Sequence, residues 1–494
     1  MSGMCNRREF LTRCGFGIAA SGFVLQGRLV ASNKGKPNIV WIIVEDMSCH
    51  LSCYGETSIR TPNVDRLAAE GVKFDKAFIT APVCSPSRSA LITGMYQTSI
   101  GAHQHRSGRG TEKIYLPSKI RLVPALFQEA GYYTCNGFIN NPRKRLGKTD
   151  YNFEYDKAVY DGADWADRRP GQPFFAQIQL KGGKGRTKKT PKPIDPAEVK
   201  LPPYYPDDPV IRDDWAQYLN AVMNTDIQVG HIVQRLKDEG IYDNTYIFFL
   251  TDHGISHARG KQFLYDEGIH VPLIIRGPGL KAGTVRKDLV IHIDMAATSL
   301  ALAGIDVPEW MESKDILAKD YQRRGAIVAA RDRCDETVDR IRCVRTDRYK
   351  YICNFYPNRP YLQPCAYKDK KPILKALRRL HKEGKLNRDQ LLIFAEKRPK
   401  EELYDLQEDP WELHNLAYES SRRRILKNMR SILDKWIRQT NDRGQYPESK
   451  AMYDSDMKVY VDGIRNRGGD EWIEHAKLIE SNIALMKKWQ AEGK

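Results

Sequence analysis

The sequence predicts an α/β fold with a mostly parallel central sheet flanked by helices, followed by a smaller C-terminal α+β domain that contains an antiparallel sheet. Residues 38–44 (NIVWIIV) form a continuous apolar run, which is typical of a strand buried on both faces. Similar runs, separated by helical patterns, follow at 174–180, 245–250 and 271–275. Such alternation predicts parallel strands covered by helices. Past about residue 325 it stops, and residues 342–352 have the pattern of a hairpin that turns near Asp347.

The helices between the strands have recognisable ends. A first helix is predicted to start at Thr61, a suitable N-cap followed by Pro62, and to end at Gly71. A long helix is predicted from about Asp214 to Glu239. We therefore predict a first domain over 36–320, the smaller α+β domain over 325–440 and a helical C-terminal extension over 441–494.

The first 31 residues have the pattern of a twin-arginine-type export signal. Arg7 and Arg8 precede a moderately apolar stretch over 14–25, and small residues follow around Ala31. We predict that residues 1–31 direct the chain to the periplasm or the extracellular space. No apolar run reaches the roughly 20 residues of a membrane-spanning helix, so an integral membrane protein is not expected.

The charge of the chain favours polyanionic partners. Its 494 residues carry a formal net charge of +17, and a hydrophobic content of 41% is typical of a globular protein. Nucleic acid, an anionic membrane surface and an acidic polysaccharide all suit this charge. Nucleic acid is not expected, because the sequence contains no motif that recognises it.

Acidic residues follow two of the predicted strands. Glu45 and Asp46 come directly after the first strand, and Asp252 with His253 follows the strand at 245–250. Because ligands gather beyond the carboxyl ends of parallel strands, these side chains are expected to converge. Carboxylate oxygens are the ligands that Ca²⁺ and Mg²⁺ prefer.

Cys84 is predicted to lie at the N-terminus of a helix. In the segment 84–94 (CSPSRSALITG), Pro86 suits the first turn and Gly94 suits the end of the helix. A helix N-terminus attracts an anionic substrate, and Arg88, one turn further on, can reach the same point. An unmodified thiolate nucleophile is one interpretation of this cysteine.

The segment around Cys84 resembles the signature of the type I, formylglycine-dependent sulfatases of the alkaline phosphatase superfamily. Five further segments resemble motifs of the family and occur in the family's order along the chain. They are 37–40 and 61–68 before Cys84, and 252–254, 260–276 and 402–417 after it. The resemblance implies that a formylglycine-generating enzyme oxidises Cys84 to formylglycine, whose hydrate is the nucleophile. It also implies one bound divalent cation, with Ca²⁺ expected and Mg²⁺ as the alternative.

The resemblance also assigns roles to individual residues. It implies that the cation is bound by the modified Cys84 and by Glu45, Asp46, Asp252 and His253. Arg88 would hold the formylglycine hydrate, and Lys148 and Lys261 would contact the sulfate. After Leu180, where many members have a histidine that contacts sulfate, this chain has KGGKGR over 181–186, so Lys184 is a candidate replacement and His257 a candidate proton donor.

The expected function is hydrolysis of sulfate esters or sulfamates, with a sulfated polysaccharide or glycosaminoglycan as substrate. The segments 45–48 and 148–152 resemble the heparan N-sulfatase-like branch of the family. Two alternatives remain at this stage. One is a phosphodiesterase or phosphonate monoester hydrolase of the same superfamily, and the other is a catalytically inactive homologue that binds glycans.

Overall fold

The computed structural model describes residues 35–139 and 145–494, so the predicted export signal over 1–31 lies outside the described residues. The strands are β1 Asn38–Val44, β2 Val72–Phe74, β3 Ala77–Phe78, β4 Tyr133–Gly137, β5 Phe174–Leu180, β6 Thr245–Thr251, β7 Leu273–Arg276, β8 Thr284–Arg286, β9 Val290–Ile291, β10 Ala326–Arg331, β11 Ile341–Thr346, β12 Tyr349–Asn354 and β13 Glu401–Asp405. The helices are α1 Pro62–Glu70, α2 Cys84–Thr93, α3 Val123–Glu129, α4 Pro209–Asp238, α5 Asp266–Ile269, α6 Asp294–Leu302, α7 Ala366–Asp369, α8 Pro372–Lys382, α9 Arg388–Leu391, α10 Arg423–Gln439, α11 Lys450–Arg465 and α12 Asp470–Ala491.

The central sheet is mostly parallel, as predicted. Within the described ranges it has seven strands in the order β4-β5-β1-β6-β7-β2-β8. The strands β4, β5, β1 and β6 run parallel, whereas β7 is antiparallel to both of its neighbours. Val44, at the end of β1, pairs with Leu180 of β5 and with Thr251 of β6, so three strands end at the same edge.

Both faces of the sheet are buried. Every residue of β1 is buried, because Val40, Ile42 and Val44 belong to one apolar core and Ile39, Trp41 and Ile43 to another. The first core includes the apolar face of α4, and the second includes residues of α2, α3 and α6. A strand covered on both faces needs a continuous apolar run, which explains why the sequence pattern identified β1.

The second sheet is antiparallel and has the order β10-β11-β12-β13. The hairpin of β11 and β12 turns between Thr346 and Tyr349, which confirms the hairpin predicted near Asp347. Helix α10 packs its apolar side against this sheet.

Residues 36–494 form one compact unit, and the predicted boundaries at 320–325 and 440–441 stay a prediction. None of the helices in the described part of the chain is long and apolar enough to cross a membrane.

Glu336 joins the last helix to the rest of the fold. Its Oε1 accepts hydrogen bonds from the Ala366 backbone N–H (2.7 Å) and from the Asn482 side chain on α12 (2.9 Å). Its Oε2 is buried and has no hydrogen-bond partner among the described residues. Burial raises the pKa of Glu336 to about 7, so the folded chain binds this proton more tightly than the unfolded chain.

Glu336→Gln is expected to remove a pH-dependent loss of stability. Because the pKa of Glu336 is raised on folding, its ionisation costs nothing below pH 4.5 and on the order of 3 kcal/mol above pH 7. Glutamine keeps the accepting oxygen and does not ionise. Scanning calorimetry from pH 5 to 8 should therefore show the Tm of the wild-type protein falling relative to that of the variant. Parallel Tm curves would contradict the assignment.

Candidate active site

The ends of β1 and β6 bring two carboxylates together. Val44 and Thr251 are paired in the parallel register, and the backbone N–H of Asp46 donates to Asp252 Oδ1 (3.2 Å). Asp46 has a φ of +54°, a left-handed conformation that aspartate adopts more readily than most residues. Both carboxylates are fully buried, as expected of residues with a specific partner or ligand.

Cys84 is the first residue of α2, and the whole helix is buried. Its Sγ lies 3.2 Å from His253 Nε2, and the Lys261 ammonium donates to it at 3.1 Å. The Ser87 hydroxyl donates to the Asp252 carbonyl oxygen, which ties α2 to the end of β6. The predicted helix N-terminus is therefore confirmed, and its partial positive charge faces the strand ends.

The donors around Cys84 fit one divalent cation. The ligand atoms of Asp46, Cys84 and His253 all lie within 4.8 Å of one another. The His253 Nε2 is 3.2 Å from Asp46 Oδ1 and 3.6 Å from Asp252 Oδ1. Although burial raises the pKa of Asp46, Lys261 and His253 hold it well below its ordinary value, so this carboxylate is ionised. Two buried carboxylates within reach of one point suit Ca²⁺ or Mg²⁺.

Glu45 takes different partners from Asp46. Its Oε2 accepts hydrogen bonds from Lys148 Nζ (2.9 Å) and from Lys184 Nζ (2.8 Å). Successive residues that leave a strand point in different directions, and the longer side chain of Glu45 reaches the two lysines. In this structure Glu45 balances the charge of the two lysines, and its role as a cation ligand stays a prediction.

Arg88 connects the carboxylate pair to strand β5. Its Nε donates to Asp252 Oδ2 (2.9 Å), and its Nη1 donates to Gln179 Oε1 (2.7 Å). Its Nη2 is buried and has no hydrogen-bond partner in the described part of the chain. A buried guanidinium nitrogen without a partner is costly unless a ligand binds it. Gln179 was not predicted, because a glutamine inside an apolar strand gives no sequence signal of its own.

Three positive groups act on Cys84. Burial alone would raise the pKa of its thiol, but Lys148, Lys261 and His253 lower it to about 7. Lys261 thus contacts the sulfur atom itself, and Lys148, which is also predicted to contact sulfate, is near enough to act on it electrostatically. This surplus of positive charge around one buried position favours an anionic group there.

His257 lies apart from this cluster. Its Nε2 is 2.7 Å from Asp214 Oδ2, and its ring stacks on Trp215 with the centroids 5.0 Å apart. Burial and the neighbouring Arg186 lower its pKa to about 3, so the ring is neutral near pH 7. The structure therefore pairs His257 with Asp214 and does not bring it to Cys84. It shares the loop of Asp252, but the loop turns its ring towards α4.

Two residues from α7 and the turn after it, Tyr367 and Lys371, lie beside the site, and neither was predicted. The Tyr367 hydroxyl lies 3.5 Å from Asp46 Oδ2, and the Lys261 ammonium lies 5.1 Å from the centre of the Tyr367 ring. The Lys371 ammonium lies on the same ring at 4.8 Å, and burial together with Arg186 lowers its pKa to about 7. Both lie between the motif segments 260–276 and 402–417, in a part of the sequence whose pattern does not indicate a site.

The sequence matches two family models. The sulfatase model matches residues 37–305, and the model "N-sulphoglucosamine sulphohydrolase, C-terminal" matches residues 253–363. An ulvan-active sulfatase of Formosa agariphila is 34% identical over 468 residues, which cover 84% of this chain and 77% of that protein. The human N-sulphoglucosamine sulphohydrolase is 25% identical, over 82% of this chain and 90% of that protein.

A solved structure described as a 2-O GAG sulfatase has a TM-score of 0.61 to this chain. It is 21% identical, and the match covers 84% of this chain and 94% of that one. At this identity the likeness supports the fold, which is the alkaline-phosphatase-like arrangement predicted from the sequence. Together with the family model over residues 37–305 and the 34% identical relative, it leads to one conclusion. The chain belongs to the sulfatase family, with a C-terminal region of the N-sulphoglucosamine sulphohydrolase type, and is a sulfuric ester hydrolase.

Proposed function

We propose that this sulfatase removes sulfate groups, as esters or sulfamates, from a sulfated polysaccharide, using a formylglycine made from Cys84 and one bound Ca²⁺. The observation that carries the proposal is the convergence on Cys84 Sγ of His253 Nε2 at 3.2 Å and Lys261 Nζ at 3.1 Å, with the Asp46 and Asp252 carboxylates beside them.

The cation would be held by Asp46, Asp252, His253 and the modified side chain at position 84. A cation there polarises oxygen atoms that bind to it and favours their deprotonated form. The two carboxylates favour Ca²⁺, whereas an imidazole is a less natural ligand for it. Glu45, whose Oε2 accepts hydrogen bonds from Lys148 and Lys184, is a further candidate ligand.

The modified residue supplies a hydrated aldehyde, which offers one hydroxyl for attack on sulfur and a second for release of sulfate. The residues around it do the positioning. Lys261, which donates to the atom at this position, would hold the attacking group, and the unpartnered Nη2 of Arg88 would bind an anionic oxygen. Lys148 would neutralise a second sulfate oxygen. Preorganised donors of this kind lower the barrier by a few kcal/mol each.

The substrate class is proposed from charge and from the names of the relatives. The formal net charge of +17 suits a polyanion. Among the relatives, one is described as ulvan-active, one acts on N-sulphoglucosamine and a fold neighbour is described as a GAG sulfatase. Export through the twin-arginine-type segment over 1–31, to the periplasm or beyond, belongs to the same proposal, since such polymers are met outside the cytoplasm.

A substrate panel tests the proposal. The protein is produced together with a formylglycine-generating enzyme and supplied with Ca²⁺. Sulfate release is measured from ulvan, heparan sulfate and 4-nitrophenyl sulfate, and release of the phenol is measured from an aryl phosphodiester. We expect kcat/KM to be highest for one of the two polysaccharides. Turnover of only the small aryl sulfate would reject the substrate class. A preference for the phosphodiester would identify a phosphonate monoester hydrolase type of activity, and binding of glycan without turnover would identify an inactive homologue.

A further inference from the structure

A cavity of about 200 Å³ lies between the loop that follows α2 and the helix α11. Arg106 and Arg109 line it from the loop, and Tyr460 and Arg467 line it from α11 and the turn after it. This volume is below the roughly 300–1,000 Å³ of pockets for drug-sized ligands, and so suits a single sugar unit. None of these residues has a role in the site around Cys84.

The cavity is next to the site around Cys84. Ser85 follows Cys84 in the chain, and its Oγ accepts a hydrogen bond from the Arg106 backbone N–H (2.8 Å). The same Oγ lies 2.9 Å from Nδ1 of His105, which lines the floor of the cavity. The loop that carries the cavity's arginines is therefore fixed to the residue beside the nucleophile.

A second connection runs through the lysine proposed to contact sulfate. Asp150 Oδ2 lies 3.6 Å from Lys148 Nζ, and Asp150 Oδ1 accepts a hydrogen bond from Arg109. One carboxylate thus touches a lysine of the active site on one side and an arginine of the cavity on the other. A group bound in the cavity would be a close neighbour of a group bound against Lys148.

The acidic residues beneath the cavity already have partners. Asp456 accepts hydrogen bonds from the backbone N–H groups of Gly108 (3.2 Å) and Arg109 (2.8 Å), and its Oδ2 lies 3.0 Å from Arg333 Nη2. Asp335 Oδ1 lies 3.4 Å from Arg106 Nη1. These contacts balance the carboxylates, so the arginines determine the charge that the cavity presents.

Two of the arginines have donors to spare. The Nε of Arg106 is buried and has no hydrogen-bond partner among residues 35–139 and 145–494. Arg467 is exposed and lies on the Trp472 ring, 4.4 Å from its centre, and no carboxylate of these residues forms an ion pair with it. Donors of this kind bind carboxylate or sulfate oxygens.

The ligand atoms of His105, Cys334 and Asp335 lie within 4.8 Å of one another beside the cavity. The adjacent guanidinium of Arg106 carries a positive charge and therefore opposes the binding of a cation there.

We propose that this cavity is a second subsite, which binds an anionic group on the sugar next to the one that loses its sulfate. The anion is a carboxylate or a further sulfate, held by Arg106 and Arg467, while the Tyr460 ring offers an apolar surface to the sugar. The proposal rests on the proposed function, because it presumes a polymeric anionic substrate. It makes the helical C-terminal extension part of the substrate-binding surface.

The test compares Arg467→Gln with Arg465→Gln. Arg465 is the last residue of α11, two positions before Arg467. It pairs with Glu480 on the surface (2.8 Å) and does not line the cavity, so it is a matched control. For heparan sulfate and ulvan tetrasaccharides, the ratio of kcat/KM to that for 4-nitrophenyl sulfate should fall roughly 10-fold or more in Arg467→Gln, as expected when a charged hydrogen bond is lost. It should stay at the wild-type value in Arg465→Gln. Arg467→Gln should also raise KM for the tetrasaccharides, and this rise should be smaller at high salt, because salt screens the attraction between the arginine and the anion.

The chemistry of the anion is distinguished with modified substrates. If the cavity binds a carboxylate, reduction of the uronic acids should lower the kcat/KM ratio of the wild-type protein as much as Arg467→Gln does. The same reduction should not lower the ratio of the Arg467→Gln variant any further. If it binds a sulfate, only desulfation of the neighbouring sugar should have this effect. Equal ratios in the wild-type protein and in Arg467→Gln would overturn the subsite.

Failure of the proposed function gives a different result. If no tetrasaccharide is hydrolysed, calorimetric binding of the same tetrasaccharides to Cys84→Ala still tests the cavity. Weaker binding after the further change Arg467→Gln supports the subsite, and unchanged or undetectable binding in both proteins overturns it. The Tm of each variant checks that the fold is intact.

Discussion

Cys84→Ala is expected to lower kcat for sulfate release by roughly 10⁴-fold or more, because it removes the nucleophile on which the other groups act. Cys84 is at the N-terminus of α2, and its Sγ contacts both Lys261 and His253. Alanine keeps the helix, and a buried thiol is a small loss of packing, so the fold should survive. Sulfate release and the Tm are measured on the same preparation.

Cys343→Ala is the matched control for this prediction. Cys343 is also fully buried, lies in β11 of the second sheet, and has a pKa raised to about 12 by burial. The Cys343→Ala variant should lose about as much stability as Cys84→Ala and should keep its sulfatase activity. Turnover at the wild-type rate by Cys84→Ala would remove Cys84 from the mechanism altogether.

Asp252→Asn is expected to lower kcat/KM roughly 10³-fold and to weaken Ca²⁺ binding at least about 100-fold. Asp252 carries two functions, since its Oδ2 accepts from Arg88 Nε and its Oδ1 lies 3.6 Å from His253 Nε2. Asparagine removes the negative charge that the cation needs and presents an N–H or a neutral oxygen to Arg88. The Tm of the calcium-free protein with increasing Ca²⁺ gives the affinity without relying on activity.

Asp294→Asn separates this effect from a loss of stability alone. Asp294 is as buried as Asp252 and forms an ion pair with Arg324 (2.7 Å), and its other hydrogen bonds come from the backbone N–H groups of Ile291 and Lys314. The substitution Asp294→Asn should lower the Tm of the calcium-free protein and leave the Ca²⁺-dependent rise in Tm unchanged. An unchanged rise in Asp252→Asn would show that the cation binds elsewhere.

The parts of the fold that were predictable are those in which burial dictates a local pattern. Strand β1 is buried on both faces, and helix α1 begins at Pro62 and ends just before Gly71, so apolar periodicity and end residues identified both. The positions of Asp46 and Asp252 followed from the rule that parallel strands end at one edge. Cys84 was predictable because its helix has proline early and glycine at its end.

The remaining site residues depend on contacts that no local pattern encodes. Glu45 is a predicted cation ligand, and the sequence did not show that its carboxylate also accepts hydrogen bonds from Lys148 and Lys184, which come from two distant loops. His257 was expected at the reaction centre, yet Asp214 on α4 holds its ring elsewhere. Tyr367 reaches Asp46 from a segment whose pattern does not indicate a site. Such pairings are set by how separate elements pack, and a single sequence does not show them.

The mass of the tryptic peptide over residues 77–88, which contains Cys84, tests the central claim most directly. In active enzyme produced with a formylglycine-generating enzyme, the account predicts a peptide in which the thiol and one hydrogen of Cys84 are replaced by an aldehyde oxygen, and which reacts with a hydrazide. Active enzyme whose peptide contains only the unmodified thiol would contradict it.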